Sequence, residues 1–197
     1  MREVKPLGGR TLCGRFIALE PLEPSHFAEL AEAGRDPAIW TYLQHDMSAD
    51  AGALIRWLAE ENAQGRMITY VVRRLTDNAL VGSTSYLAIA PEHARVEIGA
   101  TWYQPSAQGT AVNPEAKYLL LSNAFDADYN RVELKTDARN ARSRAAMKKM
   151  GATEEGTLRG HMWMPQGYFR DSVYFSILAS EWPQVKAKLE ARLAGFG

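Results

Sequence analysis

The amino-acid sequence predicts an α+β fold, that is, a mixed α/β domain built on a sheet with both parallel and antiparallel strands. Three observations support this prediction. Short segments in which apolar and polar residues alternate are interleaved with segments of helical apolar spacing. A strand, a helix and a further strand follow one another near the middle of the chain, which is the order of a parallel crossover unit. Strands joined by short turns flank that unit, and such strands pair antiparallel.

The first third of the chain contains one predicted strand, over residues 12–19, and three predicted helices. The first helix spans 24–32. A short second helix starts at Asp36-Pro37, because Pro is well tolerated at the first helical position. Ser48 or Asp50 caps the third helix, whose apolar residues recur at helical spacing. These apolar residues are Leu54, Trp57 and Leu58.

The middle of the chain begins with three predicted strands, over 67–74, 80–89 and 95–103, and residues 76–78 form the turn between the first two. In the third strand, alternate residues belong to opposite faces. The set expected to face the core is Val96, Ile98, Ala100 and Trp102. The set on the other face is Glu97, Gly99, Thr101 and Tyr103. We therefore expect Glu97, Gly99 and Thr101 to look into a cleft.

The stretch AQGTAVNPEAKYLL begins as a loop of small residues and ends as a helix that continues to about residue 127. Asn113 is a favourable N-cap, Pro114 suits the first helical position, and Glu115 suits the first turn. A helix N-terminus presents unpaired backbone N–H groups and a partial positive charge, which together favour a phosphate. Taken alone, the stretch is better explained as a plain strand-to-helix turn.

The last part of the chain contains a strand over 131–136 and a helix that begins at Asn140 or Ser143 and is capped by Gly151. Strands over 157–164 and 169–178 form a hairpin. The closing helix is amphipathic, and its apolar face consists of Trp182, Val185, Leu189 and Leu193. No repeat or linker interrupts the sequence, so a single domain over residues 1–197 is predicted.

Composition excludes several classes of protein. The chain is 46% hydrophobic and has a formal net charge of zero, which argues against a protein that coats nucleic acid or an anionic membrane. We find no apolar segment long enough for a bilayer span and no signal peptide. Cys13 is the single cysteine and the four histidines lack ligand spacing, so no metal site is predicted. A cytoplasmic location is the default for such a chain.

Three blocks of the sequence carry a family resemblance: RVEIGATWYQPSAQGTAVNPEAKYLLLSNAFD, then NRVELKTDARNARSRAAMKKMGATEEGTLRG, then GYFRDSVYFSIL. Together they resemble the GNAT N-acetyltransferase superfamily, and within it the branch of the ribosomal-protein N-terminal acetyltransferases RimJ and RimL. The resemblance implies the GNAT acyl-CoA N-acyltransferase fold. That fold has a central mixed twisted sheet, a splayed parallel strand pair and helices on both faces.

The resemblance also implies acetyl-CoA as cosubstrate. The family loop reads Gln/Arg-x-x-Gly-x-Gly/Ala, and residues 108–113 match it except that the fourth position is Ala111 and the sixth is Asn113. The strand before the loop would bind the pantetheine arm, Asn140 would bond that arm, and nearby arginines would meet the nucleotide phosphates. The implied cofactor-binding residues are Thr101, Trp102, Tyr103, Gln108, Gly109, Thr110, Ala111, Val112, Asn113, Asn140, Arg142, Ser143 and Arg144.

Two residues are candidates for the chemistry of acetyl transfer to an amine. Glu97 precedes Gln108 at the spacing at which some GNAT enzymes place a glutamate base, although a surface glutamate on a half-exposed strand, or a partner for a neighbouring arginine, explains it equally well. Ser143 is the candidate acid toward the thiolate, or alternatively a helix-capping serine. Many GNAT enzymes use a tyrosine after this helix instead, and here no tyrosine follows until Tyr168. Direct transfer without a covalent enzyme intermediate is expected.

The resulting prediction is an acetyl-CoA-dependent N-acetyltransferase whose acceptor is a protein N-terminus or a small primary amine. The alternative is a non-catalytic acetyl-CoA-binding regulatory module, which the altered loop and the missing tyrosine favour. Nucleic-acid binding through the basic helix 139–149 is the weakest interpretation, and neither a nucleic acid nor a membrane is a predicted partner. A homodimer or higher homo-oligomer is compatible with the exposed last strand and the apolar closing helix.

Overall fold

The computed structural model describes residues 3–196, and within them eight strands form one sheet with five α-helices around it. The strands are β1 (Leu12–Cys13), β2 (Ile17–Pro21), β3 (Ile68–Arg74), β4 (Leu80–Ala90), β5 (Arg95–Tyr103), β6 (Arg131–Asp137), β7 (Thr153–Met164) and β8 (Tyr168–Leu178). The helices are α1 (Phe27–Ala33), α2 (Ala51–Ala63), α3 (Val112–Asp126), α4 (Ala141–Met150) and α5 (Trp182–Ala194). Short 3₁₀ turns span Pro24–His26 and Pro37–Trp40.

The strand order is β1-β2-β3-β4-β5-β6-β8-β7. Every neighbouring pair is antiparallel except β5 and β6, which are parallel. These two strands pair only from Arg95 to Glu97 on β5, and the remainder of β5 has no partner on that edge. The predicted mixed sheet with a splayed parallel pair is therefore confirmed.

Each face of the sheet carries its own apolar core. On one face, α3 and α5 pack over Val96 and Ile98 of β5 in the larger cluster. On the other face, α1 and α2 contribute Leu30 and Leu58 to a second cluster. Helices on both faces bury apolar surface that a bare sheet would expose to water, which is the main favourable contribution to folding.

The alternation predicted for β5 is wrong beyond Gly99, because the strand contains a β-bulge. Ser83 of β4 pairs with Trp102, but Ser85 pairs with Gly99, so two residues of β5 lie opposite one of β4. Ala100 lies at the bulge with a φ of 46°. As a result Trp102 packs in the second cluster instead of with Val96. Thr101, for its part, turns toward α3.

The predicted first strand is also interrupted, and the cause lies far away in the sequence. The Glu115 carboxylate of α3 accepts the backbone N–H groups of Arg15, Phe16 and Ile17 at 2.7, 2.7 and 2.8 Å. Residues 14–16 therefore form a tight connection between β1 and β2, in which the N–H groups of Arg15 and Phe16 point to α3 and that of Gly14 donates to the Ile17 carbonyl at 2.9 Å. Glu115 suits the first turn of a helix, as predicted, and it also anchors the N-terminal strands.

Helix starts were predicted with mixed success. Asp50 caps α2, and Asn140 caps α4 by accepting the N–H of Ser143 at 3.0 Å. Gly151, at a φ of 106°, ends α4 in the left-handed conformation that glycine favours. The N-cap predicted at Asn113 is wrong, since the N-cap residue of α3 is Ala111 and the helix begins at Val112, two residues earlier than predicted.

The closing helix uses its apolar face inside the protein. Trp182, Val185 and Leu189 are buried against the larger core, and the Trp182 ring stacks on Phe125 at 5.3 Å. This face is therefore not a free surface for a partner. The last strand, β8, was expected to be exposed, but it lies between β6 and β7, and the exposed edge of the sheet is β7. No helix within residues 3–196 combines the length and the apolar character needed to cross a bilayer.

Candidate active site

A cleft of about 770 Å³ opens where β5 and β6 separate. Its walls come from the unpaired half of β5, the end of β6 and the starts of α3 and α4. Residues 38–45, which include most of the second 3₁₀ turn, form a further wall. The cleft lies at the splayed point of the sheet because strands that no longer pair leave backbone and side chains accessible between them. It is the place that the sequence analysis assigned to the pantetheine arm.

The loop before α3 closes one end of the cleft. The N–H groups of Gly109, Thr110, Ala111 and Asn113 donate to no group within residues 3–196. Gly109 has a φ of 81°, which is unfavourable for residues with a side chain. Unpaired N–H groups at a helix start form a site for an anion such as a phosphate. The predicted phosphate loop therefore has the donors that its role requires.

Gln108 and Arg142 link the loop to the neighbouring elements. The Gln108 side-chain amide donates to the Tyr103 carbonyl at 2.8 Å. Arg142, at the start of α4, donates to the Gln108 side-chain oxygen at 2.6 Å. The guanidinium of Arg142 is exposed beside the loop, where it adds positive charge for a phosphate group.

The start of α4 brings two further predicted residues into the cleft. Asn140 and Ser143 both line it, and Asn140 uses its side-chain oxygen for the helix cap. The hydroxyl of Ser143 forms no hydrogen bond within residues 3–196, so it is available to a ligand. Arg144 is turned away instead, because its guanidinium pairs with Glu154 at 3.3 Å.

Glu97 lies at the last paired position of β5, where the two strands begin to separate. Glu97 is only 3% exposed, and its carboxylate pairs with the Lys135 ammonium of β6 at 2.7 Å. Both residues line the cleft. The carboxylate is therefore positioned for a base, and one of its oxygens is already occupied by a lysine.

Lys117 is a cleft residue that the sequence analysis missed. It lies on α3 and is 8% exposed, and its ammonium group donates to the Thr101 hydroxyl at 2.9 Å. That hydroxyl is 2.7 Å from the hydroxyl of Thr84. Burial lowers the pKa of Lys117 to about 7, although the nearby Glu97 carboxylate opposes this change. Lys117 thus titrates near neutral pH inside the cleft.

Aromatic side chains form the wall opposite α3. Trp40 and Trp102 are buried with their rings 5.0 Å apart. His45 stacks on Trp57 at 4.1 Å, and burial lowers the pKa of the His45 imidazole, which favours its neutral form. Trp40 and Trp57 pack in or against the second core cluster and also line the cleft.

The fit of an extended cosubstrate is supported by unpaired polar groups. The Tyr103 hydroxyl is buried without a hydrogen-bond partner within residues 3–196, and burial raises the pKa of Tyr103. The β5 edge from Ile98 to Tyr103 has no strand beside it. A chain of amide groups, such as a pantetheine arm, supplies partners for such an edge. Among residues 3–196, no group of three or more His, Cys, Asp or Glu is placed to hold a metal ion.

The comparisons with known proteins identify the family. Residues 17–153 match the model of the acetyltransferase (GNAT) domain, so the chain belongs to the GNAT acetyltransferase family. A crystal structure of a GCN5-related N-acetyltransferase from Brucella melitensis superposes with a TM-score of 0.90 at 28% identity, covering 98% of this chain and 89% of that chain. The predicted family and fold are confirmed.

A curated relative and a further solved structure are also similar to this chain. YdaF of Bacillus subtilis (strain 168), whose name assigns it provisionally to the ribosomal N-acetyltransferases, is 31% identical over 109 residues. That match covers 55% of this chain and 58% of YdaF. Mycobacterium smegmatis RimJ, solved with CoA-disulfide, has a TM-score of 0.77 at 24% identity, covering 95% of this chain and 92% of RimJ, which shows a common fold.

The structure brings most of the predicted site residues together, although their roles stay predictions. Those that line the cleft are Glu97, Thr101, Trp102, Tyr103, Gln108, Gly109, Thr110, Asn113, Asn140, Arg142 and Ser143. Those that do not line it are Ala111, Val112 and Arg144. Lys117, Lys135 and Arg170 line it and were not predicted. Lys117 has a sequence signal, since it continues the buried stripe of α3 through Leu120 and Ala124.

Proposed function

We propose that this protein transfers the acetyl group of acetyl-CoA to a primary amine, by direct transfer within a ternary complex. The observation that carries the proposal is the cleft itself. It joins a helix start with unpaired N–H groups, an unpaired strand edge and a buried carboxylate in one continuous space. A phosphate site, an amide-binding edge and a base are what acetyl transfer from CoA to an amine requires.

The cosubstrate would be held mainly by backbone groups. The N–H groups of residues 109–113 would accommodate the diphosphate, with Arg142 adding charge beside them. The free edge of β5 from Thr101 to Tyr103 would pair with the pantetheine amides, and Asn140 has a side-chain amide free to donate to the same arm. When bound, acetyl-CoA supplies the thioester that the amine attacks.

The transfer itself needs a neutral amine, a stabilised oxyanion and a proton for the leaving thiolate. Glu97 would take the amine proton through a water molecule, which suffices for an α-amine because its pKa is only about 7.7–8.0. Backbone N–H groups near Thr101 and Trp102 would stabilise the oxyanion. As the new C–N bond forms and the C–S bond breaks, Ser143 would donate its proton to the thiolate and recover it from solvent.

A second candidate, a non-catalytic acetyl-CoA-binding module, has its own support. One oxygen of Glu97 is occupied by Lys135, and the tyrosine expected after α4 is absent. Tyr168 does not replace it, since its hydroxyl donates to Asp137 at 2.6 Å and the residue does not line the cleft. Binding of CoA without turnover of any amine would favour this candidate.

The experiment measures free thiol released from acetyl-CoA over a panel of N-terminal peptides, amino acids and small amines. Wild type is compared with Glu97→Gln and Ser143→Ala, and CoA affinity is measured for each. Glu133→Gln is the matched control, because Glu133 pairs with Glu97 in register on β6 and does not line the cleft. We expect Glu97→Gln to lower kcat by about 10²-fold or more with CoA affinity retained. An unchanged kcat would exclude Glu97 as the base.

The acceptor and the setting of the enzyme are further parts of the proposal. The name of YdaF makes the N-terminus of a ribosomal protein one acceptor class to include in the panel. Small primary amines are the other class. A cytoplasmic location, a single domain over residues 1–197 and a homo-oligomer remain predictions.

A further inference from the structure

Arg170 is a buried cation that the proposed chemistry does not use. It lies on β8, is 7% exposed and lines the cleft. Residues Val173, Phe175 and Ile177 of the same strand face the core under α3 and α5. Arg170 is therefore on the opposite face of the sheet, the face that carries Glu97 and Lys135.

The guanidinium of Arg170 has few partners in the protein. Its Nε donates to the Ser172 hydroxyl at 3.0 Å, and Nη2 is 3.2 Å from the Met162 sulfur. Nη1 donates to no group of residues 3–196, and no carboxylate oxygen of these residues lies within the 4.0 Å of an ion pair. A buried arginine normally has a carboxylate beside it, because an unpaired buried charge is costly.

The neighbouring acidic residues are already engaged by other cations. Asp137 accepts the Tyr168 hydroxyl and pairs with Arg139 at 3.3 Å. Glu97 pairs with Lys135 at 2.7 Å. Burial lowers the pKa of the Arg170 guanidinium, against the opposing effect of Asp137, but an arginine keeps its proton at neutral pH. The cleft therefore contains an unneutralised positive charge on the face of the sheet that carries Glu97.

We propose that Arg170 binds a carboxylate of the acceptor, so that the favoured acceptors are primary amines with a carboxylate close to the amine. This inference rests on the proposed N-acetyltransferase function. The planar guanidinium can donate two parallel hydrogen bonds to a carboxylate, which fixes the orientation of the acceptor as well as its charge. The aromatic wall of Trp40 and Trp102 would cover the apolar part of the same molecule.

Two kinds of acceptor present a carboxylate near an amine. A free amino acid carries it on the α-carbon, and a peptide that begins with an acidic second residue carries it on a side chain. Pairs of acceptors that differ only in this carboxylate distinguish the two kinds. Alanine is compared with alaninamide, and a peptide that begins Ala-Asp is compared with one that begins Ala-Asn. Rates are corrected for the neutral fraction of each amine, because amide formation changes the amine pKa.

The variants are Arg170→Met and Arg170→Lys, with Arg159→Met as the matched control on exposed β7. We expect wild type to prefer the carboxylate member of one pair by about tenfold or more in kcat/KM. Arg170→Met should reduce this preference below about threefold while CoA affinity and turnover of the uncharged member are kept. Arg170→Lys should give an intermediate preference, because lysine keeps the positive charge but cannot donate two parallel hydrogen bonds to a carboxylate. If Arg170→Met does not fold, Arg170→Lys is used in its place.

Binding of the same peptides to the protein with CoA, measured by calorimetry, gives a result that does not depend on turnover. Equal kcat/KM and equal affinity for both members of each pair would overturn the inference, and so would a preference that persists in Arg170→Met. Turnover of uncharged amines without any carboxylate preference would leave the proposed function intact. Absence of both CoA binding and turnover would instead contradict the proposed function.

Discussion

Lys117 makes a specific contribution to the pH dependence of stability, and Lys117→Met removes it. In the folded protein the pKa of Lys117 is about 7 because the side chain is buried. In the unfolded chain a lysine has a pKa of about 10.4. Between these values the unfolded state binds more protons than the folded state. The free energy of unfolding therefore rises with pH above 7 and stops rising near pH 10.4.

The size of the effect follows from the two pKa values. Between pH 6.5 and pH 9.0, this one lysine raises the free energy of unfolding by about 2 to 3 kcal/mol, since each pKa unit corresponds to about 1.4 kcal/mol. Methionine has a similar length and no proton to lose. Loss of the hydrogen bond to Thr101 shifts the stability of Lys117→Met by a constant amount and does not alter the slope.

The assay is urea denaturation of wild type and Lys117→Met at several pH values from 6.5 to 9.0. The quantity of interest is the difference between the two free energies of unfolding, because the titration of all other groups cancels in it. Melting temperatures should diverge by about 5 to 10 °C over the same range, as expected for a chain of this length. Lys149→Met, at an exposed position of α4, is the control, and its free energy of unfolding relative to wild type should not change with pH.

A flat difference would refute the reasoning. If wild type and Lys117→Met keep a constant difference within about 0.5 kcal/mol across the range, Lys117 has an ordinary pKa and is not desolvated as the geometry implies. A slope of the opposite sign would refute it as well, because a lysine whose folded-state pKa exceeds about 10.4 changes stability only near and above that pH, outside the range of the assay.

Three further predictions concern stability and are tested by thermal unfolding. Glu115→Gln should lower the melting temperature by about 6 to 12 °C, since the carboxylate accepts three backbone N–H groups of the β1–β2 connection, whereas exposed Glu32→Gln should change it by less than about 2 °C. Ala100→Gly should leave stability unchanged or raise it by about 0.5 kcal/mol. Ala100→Val should lower stability by about 2 kcal/mol, because the φ of 46° at this position is unfavourable for β-branched residues. Equal effects of the two substitutions would contradict the bulge. Gly82→Ala would place a Cβ 2.2 Å from the Trp102 carbonyl oxygen, so we expect a loss of about 2 kcal/mol or more, and a neutral result would exclude that close packing.

The elements themselves were largely predictable because their causes are local. Asp50 and Asn140 cap helices by bonding N–H groups three residues ahead, and Gly151 ends a helix through its own φ. Such signals lie within a few residues of each other in the sequence. The interruption at residues 14–16 was not predictable in this way, since its cause is Glu115, about a hundred residues later in the chain.

The residues that were missed in the site share a different cause. Lys117 and Arg170 are charged residues in positions that sequence reasoning assigns to solvent or to structural ion pairs. Arg170 and Asp171 are neighbours on a strand and point to opposite faces, and Asp171 accepts the N–H of Gly160 at 2.7 Å. Only the position of the strand in the sheet shows that Arg170 faces the cleft.

The bulge at Ala100 connects these errors to the proposed chemistry. Without it, Trp102 would lie with Val96 under α3, and Thr101 would lie beside Glu97. With the bulge, Trp102 lies beside Trp40 on the aromatic wall of the cleft, and the Thr101 hydroxyl accepts the hydrogen bond of Lys117. Alanine has no intrinsic preference for a positive φ, so nothing at position 100 indicates the bulge in advance. Strained residues and β-bulges are common beside functional clefts, where a bulge moves the following side chains to the opposite face of the strand. The predicted alternation therefore fails at the one point in β5 where the strand contains a bulge, and that bulge places Trp102 on the wall proposed to cover the acceptor.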